Sequence, residues 1–161
     1  MVHYVKGNLL DSDCTYICHQ VNCQGVMGSG IAKQIRERWP EVYEKYRREY
    51  EMLIRHGHNP ERQLGNIDII PITDTDQFAI NMYSQRTYGY DGQRYTSYDA
   101  FAHALGLIKH YTPNDATIGF PKNIGCGLGG GNWTIISALI EEILGEEYEV
   151  YIYEYDPNEE C

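Results

Sequence analysis

The 161-residue chain is 42% hydrophobic and 22% charged, holds five cysteines and has a formal net charge of −10. That length suffices for one domain, 1–161, whose core needs neither disulfides nor a metal. The acidic balance excludes a protein that grips long nucleic acid through its phosphates, and no apolar run is long enough to span a membrane.

The opening "MVHYVKGNLL" lacks the apolar region of a signal peptide, so a cytoplasmic location is expected. "HYVKG" (His3 to Gly7) and "TYICHQVN" (Thr15 to Asn22) read as strands, the second apolar enough to be central. Gly25, Gly28 and Gly30 follow, then a helix with Ile31, Ile35 and Trp39 on one face. Pro40 starts a second helix, carrying Tyr43, Tyr46, Tyr50 and Leu53. Eight of the thirteen Lys and Arg residues fall between Lys33 and Arg62, interleaved with Glu37, Glu41, Glu44, Glu49 and Glu51. That mixture is a solvated helix face rather than a nucleic-acid patch.

Residues 55–66 are a loop by composition, and "IDIIPI" and "QFAINMY" are strands around the turn "TDTD". A tyrosine-rich loop, "SQRTYGYDGQRY", leads to Thr96 and Asp99, a capping box for a helix with Phe101, Leu105 and Ile108. "TIGFP" is a short buried strand; after it, "NIGCGLGGGNW" packs five glycines into eleven residues. A helix with Trp133, Ile136, Ile140 and Ile143 and a closing strand, "EVYIYEY", complete the chain. Strands alternating with helices imply a single α/β domain, its mixed, largely parallel sheet covered on both faces. Cys14, Cys18 and Cys23 cluster with His19, but no second ligand pair lies at zinc spacing, so reduced, buried thiols and no metal are expected.

Both glycine clusters lie between a buried strand and a helix, where open α/β sheets bind ligands. Glycine lets N–H groups face a phosphate, and the helix N-terminus adds partial positive charge. Neither cluster ends in the Lys-Ser/Thr of a P-loop, and Gly125, Gly127 and Gly130 match G-x-G-x-x-G only loosely. Two matched loops point to a small diphosphate ligand.

"YICHQVNCQGVMGSGIA", followed a hundred residues later by "FPKNIGCGLGGGNW", resembles a macrodomain from "VKGNLL" to the final strand. It is most similar to the branch of ADP-ribose-1''-phosphate phosphatases, terminal ADP-ribose glycohydrolases and small bacterial or phage relatives. The resemblance implies a three-layer α/β/α fold with a mixed central sheet and an ADP-ribose cleft at the strand ends. It implies ADP-ribose or ADP-ribose 1''-phosphate as partner, no cofactor, no membrane, and nucleic acid only as the carrier of an ADP-ribose. Asn8, between Gly7 and Leu9, takes the place of an adenine-reading Asp. Asn22 would hold the distal ribose, and Gly28, Ser29, Gly30 and Ile31 the first loop's share of ribose and phosphates. Ile124, Gly125, Cys126, Gly127, Leu128, Gly129 and Gly130 would hold the diphosphate. From the residues themselves, Tyr155 or Tyr153 either stacks on adenine or serves packing.

The terminal glycohydrolases of that branch use a Lys after the fourth strand and an Asp in the second loop. Here those places hold "MYSQ" and Gly129, which disfavours Lys-dependent chemistry. The phosphatase resemblance rests on His19 and Asn22 in "ICHQVNCQG". His19 would manage protons near neutral pH, or else it is a buried strand histidine satisfied by its surroundings. Asp91 and Asp99 are weaker candidates, already explained by a turn and a helix start. Cys126 lacks an Arg-rich loop to stabilise a thiolate. Tyr83, Tyr88, Tyr90, Tyr95 and Tyr98 either wall the distal end or pack a loop. Three readings stay open: a metal-independent ADP-ribose-1''-phosphate phosphatase first, then a non-catalytic ADP-ribose module, then an ADP-ribosyl hydrolase without the usual Lys and Asp.

Overall fold

The computed structural model describes residues 1–155. Apolar runs form strands β1 (Val2–Lys6), β2 (Tyr16–Asn22), β3 (Ile67–Pro71), β4 (Phe78–Gln85), β5 (Thr117–Pro121) and β6 (Glu149–Glu154). Segments of helical period form α1 (Gly30–Arg38), α2 (Pro40–Arg55), α3 (Tyr98–Tyr111) and α4 (Trp133–Leu144). The sheet order is β1-β6-β5-β2-β4-β3. Only the β3–β4 pair is antiparallel; the other pairs run parallel. No helix among the described residues is long and apolar enough to cross a membrane. Cys161 lies outside the described residues.

Strand alternation divides the core between two faces. On one, Ile17, Val21, Ala79 and Tyr83 meet Ile35, Val42 and Tyr46 of α1 and α2. On the other, Cys18, Ile80, Met82, Ile118 and Phe120 meet Phe101, Leu105, Ile136 and Ile140 of α3 and α4. Cys14 and Cys23 lie with the first face and Cys18 with the second. The expected three layers and mixed sheet are present.

Two local expectations change. The cap of α3 is Ser97, whose side chain accepts from the Ala100 N–H. Thr96 instead donates its hydroxyl to the Gly125 carbonyl, 2.7 Å away. The loop before β3 also contains a 3-10 turn, Pro60–Gln63, capped by Asn59.

Connections leaving β2 run through α1 and α2 toward the β4–β3 side, while those leaving β5 run through α4 toward β6. Between the neighbours β2 and β5 the chain directions diverge, which makes their C-terminal ends a topological switch point. Both glycine loops start there.

Candidate active site

The two loops enclose a cleft of about 320 Å³. Asn22, Gly28, Ser29, Gly30 and Ile31 form one side, and Ile124, Gly125, Gly127, Leu128 and Gly129 another. Gln20 and Gln85 from the strand ends, Tyr88 and Tyr90 of the tyrosine-rich loop, Lys122 and Asn123 complete it.

Asn22 is aimed by a register shift between Val21 and Asn22 where β2 pairs with β4, since a bulge re-aims the next side chain. Its Nδ2 donates to the Val26 carbonyl (2.9 Å), and its Oδ1 accepts from the Gln24 N–H (2.9 Å). The Tyr46 hydroxyl lies 2.6 Å from its carbonyl and 2.8 Å from Oδ1. Asn22 therefore fixes the shape of the first loop and ties it to α2.

The first loop delivers the start of α1 with its donors open. Ser29 is the N-cap, yet it makes no side-chain capping bond, and no acidic residue lies in the first turn. The leading N–H groups of a helix have no intrahelical partner, so an uncapped end facing a cleft is suited to an anion. By contrast, Ser97 and Asn132 cap α3 and α4. Gly30 has φ +58, and a Cβ there would find nothing within 4 Å, so its face toward the cleft is clear.

The glycines of the second loop serve two purposes. Gly125 (φ +74) and Gly130 (φ +71) are in the left-handed region that favours glycine. A Cβ on Gly130 would lie 2.6 Å from the Gln93 carbonyl, and one on Gly129 would lie 2.6 Å from the Thr96 hydroxyl. Those positions are small because other parts of the protein approach them. Gly127 alone of the five has open space around its Cβ, and it lines the cleft. Among the described residues, the N–H groups of Gly125, Gly127, Leu128 and Gly129 have no protein acceptor.

Several expected site residues stand elsewhere. His19 is wholly buried between the sheet and α2, with its Nε2 2.5 Å from Asn81 Oδ1. Burial pushes its pKa down to about 4, against the raising effect of the Asn81 bond. It neither lines the cleft nor titrates near neutral pH, so the expected proton-transfer role is corrected to a structural one. Strand alternation is the reason: His19 points into the α1–α2 layer while Gln20 points to the other face. Replacing His19 by Gln is expected to lower Tm, at a cost of about 1–3 kcal/mol for disturbed buried hydrogen bonding. Ligand affinity should stay within threefold, as read by calorimetry beside a thermal melt.

Gly7, Asn8, Leu9 and Tyr155 do not line this cleft. Asn8 caps the 3-10 turn Leu9–Asp11, with Oδ1 accepting from Leu10 N–H (3.0 Å), and Leu9 is buried. The Gly7 N–H donates to the Glu154 carbonyl (3.0 Å), and Tyr155 follows the end of β6. Cys126 turns its thiol to the Ile124 carbonyl (3.3 Å), and burial raises its pKa. Gly130 faces residues 93–94 rather than the cleft.

Sequence reading missed Gln20, Gln85, Lys122 and Asn123 as cleft residues. Lys122, directly before the loop, was the findable one: it is the only cation lining the cleft among the described residues, with Nζ 3.5 Å from Glu154. A second hollow, about 580 Å³, lies along α2 between Lys45, Arg48, Glu49, Met52, His56 and His58. It is away from the strand ends and includes neither glycine loop.

No protein-family model matches the chain. A 17.5 kDa protein of Enterobacteria phage T4 is 26% identical over 98% of both chains. An ADP-ribose 1''-phosphate phosphatase of Scheffersomyces stipitis is 34% identical over 52% of this chain and 50% of its own. The chain spans half or less of the named enzymes it matches. Among solved structures, the macrodomain of Thermus aquaticus DarG superposes with a TM-score of 0.74 at 25% identity, covering 96% of this chain and 98% of that one. By this near full-length likeness the six-stranded sheet with its layered helices is a macrodomain fold.

Proposed function

We propose that this protein binds ADP-ribose in the cleft between β2 and β5 and hydrolyses ADP-ribose 1''-phosphate to ADP-ribose and inorganic phosphate. The observation that carries the reading is the convergence of two sets of unpartnered N–H groups, from the start of α1 and from the second loop, on one cleft. A diphosphate is the ligand class such donors favour, and Lys122 adds a positive charge at the rim. The Scheffersomyces relative supplies the named reaction.

Hydrolysis of a phosphate monoester passes through a loose transition state, where positioning and electrostatic stabilisation do most of the catalytic work. Water attacks phosphorus, the ester P–O bond breaks, and the distal-ribose oxygen takes a proton. In this reading the cleft's N–H groups and Lys122 hold the anionic substrate while Asn22 fixes the loop beside the ribose. A cytoplasmic site of action belongs to the same proposal. A specific observation favours turnover-free binding as the second reading: no carboxylate or imidazole lines the cleft among the described residues.

The test is calorimetric titration with ADP-ribose, then phosphate release from ADP-ribose 1''-phosphate in the same preparation. Binding with release supports the phosphatase, and binding without release supports the second reading. No binding overturns both. Lys122→Ala is expected to weaken ADP-ribose binding about three- to tenfold, as for loss of one charge-assisted contact. The loss should shrink as salt is raised.

A further inference from the structure

Strand alternation sends Gln20 to the α3–α4 face, opposite His19. There both atoms of its amide are engaged. Oε1 accepts from the Ser84 hydroxyl (2.7 Å), and Nε2 donates to Gln85 Oε1 (2.5 Å) and to Thr96 Oγ1 (2.9 Å). Thr96 passes the chain on, its hydroxyl donating to the Gly125 carbonyl at 2.7 Å. The Tyr95 and Thr96 N–H groups both donate to the Gly129 carbonyl, at 2.7 and 2.9 Å. Gln85 in turn donates to the Thr87 carbonyl at the root of the tyrosine-rich loop (3.0 Å).

The packing around the glycines records the same junction from the other side. A Cβ on Gly125 would come within 2.7 Å of Gln20 Oε1, and one on Gly129 within 3.0 Å of Gln20 Nε2. A side-chain amide held by three bonds, and touching the loop at two glycines, leaves that loop little freedom. The second loop's own short bonds cannot supply this anchoring. They run from Cys126 to Asn123, from Gly130 to Gly127 and from Gly131 to Gly125, all inside the loop.

We propose that Gln20 is a positioning residue, whose amide, acting through Thr96, holds the second glycine loop and the tyrosine-rich loop in register so that the cleft is formed before ligand arrives. Ordering a loop in advance removes an entropic cost that binding would otherwise carry. Of this neutral network Gln20 and Gln85 line the cleft, while Ser84 and Thr96 are buried behind them, so orientation there comes from hydrogen bonds and not from charge. The affinity arm of the test rests on the ADP-ribose reading; the exchange arm does not.

The experiment compares wild type with Gln20→Leu and with Thr96→Val, which removes the linking hydroxyl at nearly constant shape. Hydrogen exchange in the free protein is followed at the amides of Tyr95, Thr96, Cys126, Gly130 and Gly131. Both variants are expected to speed exchange there at least tenfold, leaving α4 and β6 amides within twofold. ADP-ribose binding should weaken about tenfold in each, and the double variant should weaken it no further, because both break one linkage. Gln20→Asn, with the same amide on a shorter stem, should not restore the loop. Unchanged loop exchange in both variants overturns the proposal, as does faster exchange spread evenly over the protein. Absence of ADP-ribose binding by wild type, together with the expected loop exchange, overturns the ligand reading and leaves the positioning role standing.

Discussion

Gly130→Ala is expected to lower Tm by roughly 4–16 °C and to cost ADP-ribose binding at least tenfold, whereas Gly127→Ala should lose binding with Tm unchanged. Gly130 sits at φ +71, where a Cβ would meet the Gln93 carbonyl at 2.6 Å and the Arg94 Cα at 2.9 Å. Both obstacles are backbone, so no rotamer change relieves them. Left-handed strain and overlap together amount to about 2–4 kcal/mol, and at this chain length each kcal/mol shifts Tm by about 2–4 °C. Gly127 has an ordinary φ and open space, so a methyl there disturbs no packing. It enters the cleft beside N–H groups that the diphosphate reading requires. Paired melts and titrations separate the two effects. Equal Tm losses would show that both glycines serve packing alone.

Asp68→Asn should change how stability varies with pH by about 2–3 kcal/mol between pH 5 and 8, a larger effect than its removal of one hydrogen-bonding oxygen would suggest. Asp68 is buried under α2, accepting from the Tyr83 hydroxyl (2.8 Å) and from Asn81 Nδ2 (3.2 Å). Burial, together with the bond to Glu49 and the Glu49 charge, pushes its pKa from an ordinary 3.8 up to about 7. Glu49, despite its own burial, is held below the usual carboxylate value by Asp68, Lys45 and Tyr83.

The folded state thus keeps a proton on Asp68 that the unfolded chain has released. Its stabilising contribution is complete below about pH 3.8 and is lost as pH rises through about 7. His19 acts in the opposite sense. Its folded pKa of about 4 lies below the ordinary 6.5, so its contribution is present above 6.5 and is lost as pH falls toward 4. The two contributions oppose each other between those limits, which flattens the wild-type profile. Removing the Asp68 carboxyl uncovers the His19 slope. Thermal melts of both proteins from pH 5 to 8.5 should show the difference between variant and wild type moving in the variant's favour up to about pH 7 and constant above it. A constant difference across that range would contradict the buried-carboxyl assignment.

Much of the fold was legible because its signals are local. Ile31, Ile35 and Trp39 repeat at helical period, Pro40 marks the next helix start, and "TIGFP" is bounded as β5 is observed. The site was legible where glycine itself is the signal. It was not legible where strand parity or long-range bonding decides. His19 and Gln20 are adjacent, and only the facing of β2 tells which one reaches the cleft. The shift at Val21 and Asn22 leaves no mark in composition. Thr96 and Ser97 are both competent caps, and the choice falls to Ser97 because the Gly125 carbonyl, 29 residues away, engages Thr96. Gln20 resembles any polar strand residue until Ser84, Gln85 and Thr96 are brought around it.

The most direct test of the cleft assignment is an amide-resolved NMR titration of the protein with ADP-ribose. Saturable shifts are expected, largest at Gly30, Ile31 and Ala32 and at Gly125 to Gly129, with the α2 surface around Arg48 and His58 unmoved. Shifts centred on that α2 hollow, or none at millimolar ADP-ribose, would contradict it.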